Sequence, residues 1–367
     1  MSEDYEPQHE AQLQEEQVED NLGEDSEENV PFKYSITSYG ADYTVDGLVK
    51  RMQQGSVYIP PFQRAFVWNL KQASRFVESF LLGLPVPGIF LSKELDTGKL
   101  LVIDGQQRLR TLQYFYEGLF ADSRRQFALK GVQPEFEDVT YKSLREEDRL
   151  NLDNSILHAT IVQQDEPSED QSSIYHIFER LNTGGTLLQP QEIRACIYHG
   201  EFNALLKRLN ENRHWRSIYG KVSPRMRDQE LVLRFFALLN TEVENYSPPM
   251  KQFLNTYMAE NRDIEADHGD QLAQIFADTI ELAYESMGSK AFKPERTLNA
   301  AVFDAVMVGI AMRLKQGNDL GREDLKTKYD ALLQSEDFVS ACKTGTATWE
   351  NVKIRISMAV KVMAGVQ

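Results

Sequence analysis

Cysteine is almost missing from this chain: Cys196 and Cys342 are the two in 367 residues, and they share no paired spacing. A disulfide framework and a cysteine-rich zinc site are excluded, and the usage fits a reducing, cytoplasmic setting. Long hydrophobic runs are missing as well. The most apolar stretches, "LVLRFFALL" and "AVFDAVMVGIAM", are interrupted by Arg234 and Asp304 and fall short of the ~20 residues that cross a bilayer. They are expected as core helices, and no membrane partner is expected. No basic segment followed by an apolar one occurs near residue 1, so no secretory leader is expected. Histidine is sparse, at His9, His158, His176, His199, His214 and His268. His176 and His199 lie on or beside helices without a second ligand at metal spacing, and core or surface roles suit them better.

Positive charge is missing from residues 1–30, which carry nine Glu and three Asp without a Lys or Arg. Those twelve acids leave −4 of the formal −16 to the remaining chain. High charge with low hydrophobicity predicts a disordered tail over residues 1–30. Composition favours a solubilising role for it over a regulatory mimic of nucleic acid. The rest is nearly balanced, so its charge does not exclude a nucleic-acid partner.

What is present suits a soluble globular protein: 41% hydrophobic and 10% aromatic residues. The length exceeds that at which single cores stop growing, so two packed units are expected. "TVDGLVKRMQQG" has helical spacing and stops at Gly55, whereas Pro60 and Pro61 keep "SVYIPPFQR" extended. "NLKQASRFVESFLLG" predicts a helix capped by Asn69 and ended by Gly83. "GIFLSKE" and "KLLVID" flank "LDTG" as a β-hairpin, with the helix "QQRLRTLQYFYEG" directly behind it. "SILHATIVQQ" predicts another strand and "EDQSSIYHIFERLN" another helix, after which only helical patterns occur. A mixed α/β unit over residues 31–190 and an all-helical unit over 191–367 are expected.

Chemistry concentrates where the strand "KLLVID" meets its helix. The free N–H groups and positive dipole end of a helix start favour an anion. Gly105 lets backbone approach a ligand, Gln106 and Gln107 add neutral donors, and Arg108 offers a forked donor to phosphate oxygens. Asp104 suits a divalent cation or a ribose hydroxyl. These groups make the inventory of a nucleotide-phosphate site without the Gly-Lys-Ser/Thr end of a Walker loop. A tight turn in which Arg108 only pairs with a carboxylate fits the composition equally well. Upstream, two prolines stiffen an arm that presents Gln63 and Arg64. Downstream, "FERLNTGGTLLQPQEIR" supplies Arg180 and Asn182 before a Gly184-Gly185 turn, and Pro190 restarts a helix.

Together "IPPFQR", "IDGQQRLRTL" and "FERLNTGGTLLQPQEIR" resemble the signature stretches of the DGQQR domain family. That domain forms the N-terminal half, or a separate S-type subunit, of GmrSD-type modification-dependent restriction systems, and is distantly similar to ParB and sulfiredoxin. The resemblance spans roughly residues 40–240. It implies an α+β fold: a ParB/sulfiredoxin-like mixed α/β domain with a nucleotide pocket, followed by an all-helical domain. Carried over residue by residue, it puts Gln63, Arg64, Gly105, Gln106, Gln107, Arg108, Arg180 and Asn182 at a nucleoside triphosphate. Asp104 becomes the Mg2+ ligand, and Asp104 and Arg108 the candidate catalytic groups. Two positions depart from the pattern: Arg110 stands where the family has Thr, adding positive charge, and Gln189 where Asn would cap a helix better. The resemblance further implies triphosphate hydrolysis that licenses restriction of DNA by an HNH-type nuclease. No His–Asn–His arrangement occurs in the helical half, so the nuclease is expected on another polypeptide; homo-oligomerisation is left open. A non-catalytic regulator that binds DNA or the partner nuclease is the alternative.

Two weaker features remain. Residues 207–227 hold seven Lys/Arg against Glu211, with aromatics interleaved, and Arg213, Trp215 and Arg216 are the candidate nucleic-acid contacts. A solvated helical face is the competing reading. Glu230 and Arg234 stand four apart, which predicts a pair along one helix.

Overall fold

Five segments join in one mixed sheet: β1 (Ser35–Thr44), β2 (Val57–Tyr58), β3 (Ile89–Lys93), β4 (Leu100–Asp104) and β5 (Ile156–Glu166). Their order is β1-β5-β3-β4-β2. The computed structural model of the chain describes residues 35–59, 66–94, 97–121, 125–166, 175, 177, 189–317 and 322–364. Two compact units divide them, within Lys33–Leu187 and within Leu188–Gln367. The α+β class, with helices and no strand among the described residues of the second unit, is the one expected.

In the first unit β3 and β4 form the predicted antiparallel hairpin, with Leu91 opposite Val102. β3 also runs parallel to β5, and β4 parallel to β2. Such an inner position buries both faces, and Leu100 to Ile103 are all buried. Four helices flank the sheet in sequence: α1 (Val45–Gln53), α2 (Leu70–Leu81), α3 (Gln106–Glu117) and α4 (Glu146–Asn154). α2 starts as its residues predict: the Asn69 side chain accepts from Gln72 N at 2.9 Å, and Gln72 returns a bond to Asn69 N at 3.0 Å. Its buried positions Ala73, Phe76, Val77, Phe80 and Leu81 follow the helical period. α1 and α2 both pack on α3, so the helix behind the sheet's β4 is wedged between neighbours.

β1 is absent from the pattern-based expectations. "SITSYGADYT" pairs antiparallel with β5 along its length, but it lies at a sheet edge and its residues from Thr37 to Thr44 are largely exposed. An edge strand needs little apolar contrast, which leaves only a faint alternation to read.

The second unit contains α5 (Pro190–Ile197), α6 (Glu201–Leu209), α7 (Arg213–Tyr219), α8 (Arg227–Asn240), α9 (Met250–Glu260), α10 (Ala266–Met287), α11 (Ala300–Lys315), α12 (Arg322–Gln334), α13 (Glu336–Ala341) and α14 (Trp349–Ala364). α11 is its axis. Every residue from Ala300 to Ala311 is buried, as a helix apolar on all sides must be. Gly309 lets α14 approach closely, since a Cβ there would stand 2.9 Å from Ala359 O.

The expected Glu230–Arg234 pair along α8 does not form. Arg234 instead binds Asp304 on α11, and Glu230 receives Arg194 of α5 at 3.0 Å. Both side chains are buried, and in a core the choice of partner is set by what packs opposite rather than by the weak pairing along a solvated helix face.

Candidate functional site

β4 ends at Asp104, and the chain turns into α3 through a single residue, Gly105. Its φ of +97° is in the left-handed region that glycine adopts without steric cost. A side chain would also collide there with Cγ2 and Cβ of Ile89 on the neighbouring strand. The sequence demands Gly at this point for both reasons. Gly105 in turn brings no capping side chain of its own to the start of α3.

Arg108, expected to reach for phosphate, is held by the scaffold. Its Nη2 meets Asp104 Oδ2 at 2.6 Å, and its Nη1 donates to Pro87 O at 2.9 Å and to Gly88 O. The guanidinium thus ties α3 to the end of β4 and to the loop that leads into β3. Between the two sequence readings of Arg108, this geometry is that of the tight turn with a paired carboxylate.

Gln107 reaches the opposite way. Its Oε1 accepts from Val67 N at 3.0 Å and from Trp68 N at 3.4 Å. Aromatic contacts secure the same strap. Phe66 meets Tyr114 and Phe120 edge-on at 5.2 and 5.7 Å, and Trp68 meets Phe76 at 5.4 Å. In sequence the strap follows shortly after Gln63 and Arg64. Gln63, Arg64, Arg180 and Asn182, with the Gly184-Gly185 turn and the helix expected before it, lie outside the described residues apart from Tyr175 and Ile177.

The remaining polar groups of the junction are Gln106 and Arg110, each partly buried. Oε1 of Gln106 and Nε of Arg110 are buried atoms without a hydrogen-bond partner. In the sequence Arg110 is only a surplus charge; no pattern marks its Nε as unpartnered.

Residues 45–199 match the GmrSD restriction endonuclease, N-terminal domain family. This segment is a GmrSD-type N-terminal domain. The match starts at α1 and runs through the β4–α3 junction to the end of α5. Such a domain marks the chain as a restriction-system component. No curated protein matches the chain. Among the described residues no helix is long and apolar enough to cross a membrane, and no group of three His, Cys, Asp or Glu is placed to hold a metal ion.

The end of the third stretch is built into the helical unit. Arg194, almost fully buried, donates to Asn255 Oδ1 at 2.8 Å, Gln191 Oε1 at 3.2 Å and Glu230 Oε2 at 3.0 Å. Glu192 accepts from Gln189 N at 2.7 Å and Arg225 Nε at 2.9 Å. "QPQEIR" fastens α5 in place, and Gln189 starts the helix through Glu192 rather than needing an Asn.

The nucleic-acid contacts expected of residues 207–227 need correction. Trp215 is 0% exposed, and its indole N–H donates to Asn210 Oδ1 at 2.9 Å. Its ring packs on Tyr219 and Phe303, each at 5.2 Å. No base can stack on it. Arg216 turns inward too, bound to Asp228 Oδ2 and Asn210 Oδ1, each at 2.9 Å. Arg213 alone of the three faces solvent, with an 81% exposed side chain 3.7 Å from Glu281. The reason is the short helix α7, whose buried face consists of Trp215, Ile218 and Tyr219.

Proposed function

We propose that this protein is the nucleotide-binding switch or sensor subunit of a modification-dependent restriction system, and that a nucleoside triphosphate binds at the β4–α3 junction. The observation that carries this reading is Gly105. A left-handed glycine packed on Ile89 brings no capping side chain to the start of α3, at the C-terminal end of a strand. A helix start of this kind offers N–H groups and a positive dipole end to phosphate. The C-terminal ends of strands in open α/β sheets are where such ligands sit. Asp104 fits as a single-oxygen ligand for Mg2+, because Arg108 engages its Oδ2. Mg2+ draws its other ligands from phosphate oxygens and water.

The nuclease is assigned to another polypeptide, an HNH-type partner, because the helical half has no His–Asn–His arrangement. DNA is then met through that partner or through the α/β unit, not through Trp215. A second reading, a non-hydrolysing regulator with nucleotide as structural effector, is favoured by one observation. Asp104 is tied to Arg108 at 2.6 Å and is poorly placed to take a proton from water.

Calorimetry with each nucleoside triphosphate and Mg2+, then phosphate release with and without modified DNA, tests both. Binding of one triphosphate and DNA-stimulated release is the expected result. Binding without release transfers the case to the second reading, and no binding of any triphosphate ends both.

A further inference from the structure

Gln106 Oε1 and Arg110 Nε are the two orphaned polar atoms of α3 nearest its start. Four residues apart, they share one face of the helix. Helical side chains lean toward the N-terminus, which carries Arg110 back over the turn that Gln106 opens. Tyr114 continues the stripe one turn further, its hydroxyl 3.4 Å from Arg110 Nη1 and its ring against Phe66 of the strap. A buried acceptor and a buried N–H without partners each carry a full desolvation cost, so they call for an occupant. Arg108 is turned away from this role: three of its N–H groups go to Asp104 and two backbone carbonyls, which fix its guanidinium on the scaffold.

We propose that Arg110 and Gln106, rather than Arg108, are the side chains of this junction that touch the nucleotide. Arg110 donates Nε–H to a phosphate oxygen. Gln106 Oε1 accepts from a hydroxyl or amine of the same molecule. This rests on the nucleotide reading and gives it chemical content: the ligand presents an anionic acceptor and a donor about one helical turn, ~5.4 Å, apart. A nucleotide's phosphate and sugar hydroxyls meet that requirement, whereas inorganic tripolyphosphate has the anion without the donor.

The test is calorimetry on the full chain, with the triphosphate that the wild type binds and with tripolyphosphate, beside apo melting temperatures. Arg110→Gln is expected to weaken triphosphate binding at least tenfold while lowering the apo melting temperature no more than Tyr114→Phe, which loses the same Arg110–Tyr114 contact, because Nε–H itself had no partner within the protein. Arg110→Lys, which keeps the charge and lacks Nε–H, is expected to weaken it as well, and it serves if the first variant does not fold. Gln106→Leu is expected to reduce triphosphate affinity while leaving tripolyphosphate affinity unchanged. Arg108→Gln is expected to lower the melting temperature instead. Wild-type affinity in Arg110→Lys, or a fall in the apo melting temperature of Arg110→Gln beyond that of Tyr114→Phe, would overturn the assignment. A wild type that binds no triphosphate removes the underlying reading itself, and that is seen before any variant is compared.

Discussion

Arg234 and Asp304, 70 residues apart, close a two-bond ion pair at the centre of the helical unit: Nε to Oδ1 at 3.1 Å and Nη2 to Oδ2 at 2.6 Å. These are the two charges that break the chain's two most apolar stretches, and they are each other's partners. Arg355, also buried, adds Nη2 to the same Oδ2 at 3.1 Å and Nη1 to Thr346 O. One carboxylate thus serves two guanidinium groups. Burial works against the charge on both. Asp304 more than offsets it for Arg234, whose pKa ends above the ordinary value, but not for Arg355, whose pKa ends below.

Removing the shared carboxylate leaves two buried cations without their hydrogen-bonded counter-charge. Asp304→Asn should therefore cost about 3–5 kcal/mol of stability, read as a lower urea midpoint. Replacing Arg234, Asp304 and Arg355 together by apolar residues should recover much of that loss. A midpoint unchanged in Asp304→Asn would mean that the cluster does not hold this unit together.

The basic stretch now gives opposite predictions for neighbouring residues. Trp215→Ala removes a fully buried ring and its bond to Asn210, so a loss of about 3–5 kcal/mol is expected. Arg213→Gln removes an exposed cation and should change stability by less than about 0.5 kcal/mol. Urea unfolding of the two variants checks this, and a mild Trp215→Ala would reopen the stacking role.

The hairpin, the capped α2 and the long helices were legible because each rests on local rules: turn residues, an Asn cap, apolar spacing. β1 was not, since its place is set by pairing with β5, about 120 residues away, and not by its own apolar pattern. The junction's residues were legible as a set, but their division of labour was not. Whether Arg108 points at a ligand or at Asp104 and Pro87 depends on which backbone carbonyls the preceding loop delivers. Trp215 misled because aromatics among cations describe a nucleic-acid surface and a short amphipathic helix alike. Only the buried face of α7 separates them.

Alkaline pH should weaken the helical unit. Burial pushes the Cys342 thiol up to about 12, from an ordinary 9.0. It pushes the Tyr219 and Tyr257 hydroxyls up to about 12, from 10.0. Groups with a raised folded pKa hold their protons longer in the native state. Their contribution is complete below pH ~9 and is lost as pH climbs toward ~12, at up to about 1.4 kcal/mol per pH unit for each group in its window. Urea midpoints at pH 8, 10 and 11 should fall in that order. Both cysteines are buried, so thiol reagent at pH 8 should find almost none before denaturant is added. A flat midpoint through pH 11 would contradict the burial of these groups.

The sharpest structural demand falls on Gly105. Any side chain there meets two penalties at once: a left-handed backbone, about 1–3 kcal/mol for a residue with a Cβ, and the collision with Ile89. Gly105→Ala should thus lose about 3 kcal/mol or more, and nucleotide binding should fall with it because the start of α3 must shift. The two penalties can be told apart. Ile89→Ala removes the Cγ2 that the new methyl strikes, although by itself it opens a cavity in the core beneath β3. In the double variant the collision is relieved while the backbone strain stays. The combined loss should fall short of the sum of the single losses by about 0.5–3 kcal/mol, the range for residues in contact. Strict additivity of Gly105→Ala and Ile89→Ala would show that packing on β3 plays no part, and backbone strain alone would then account for the glycine.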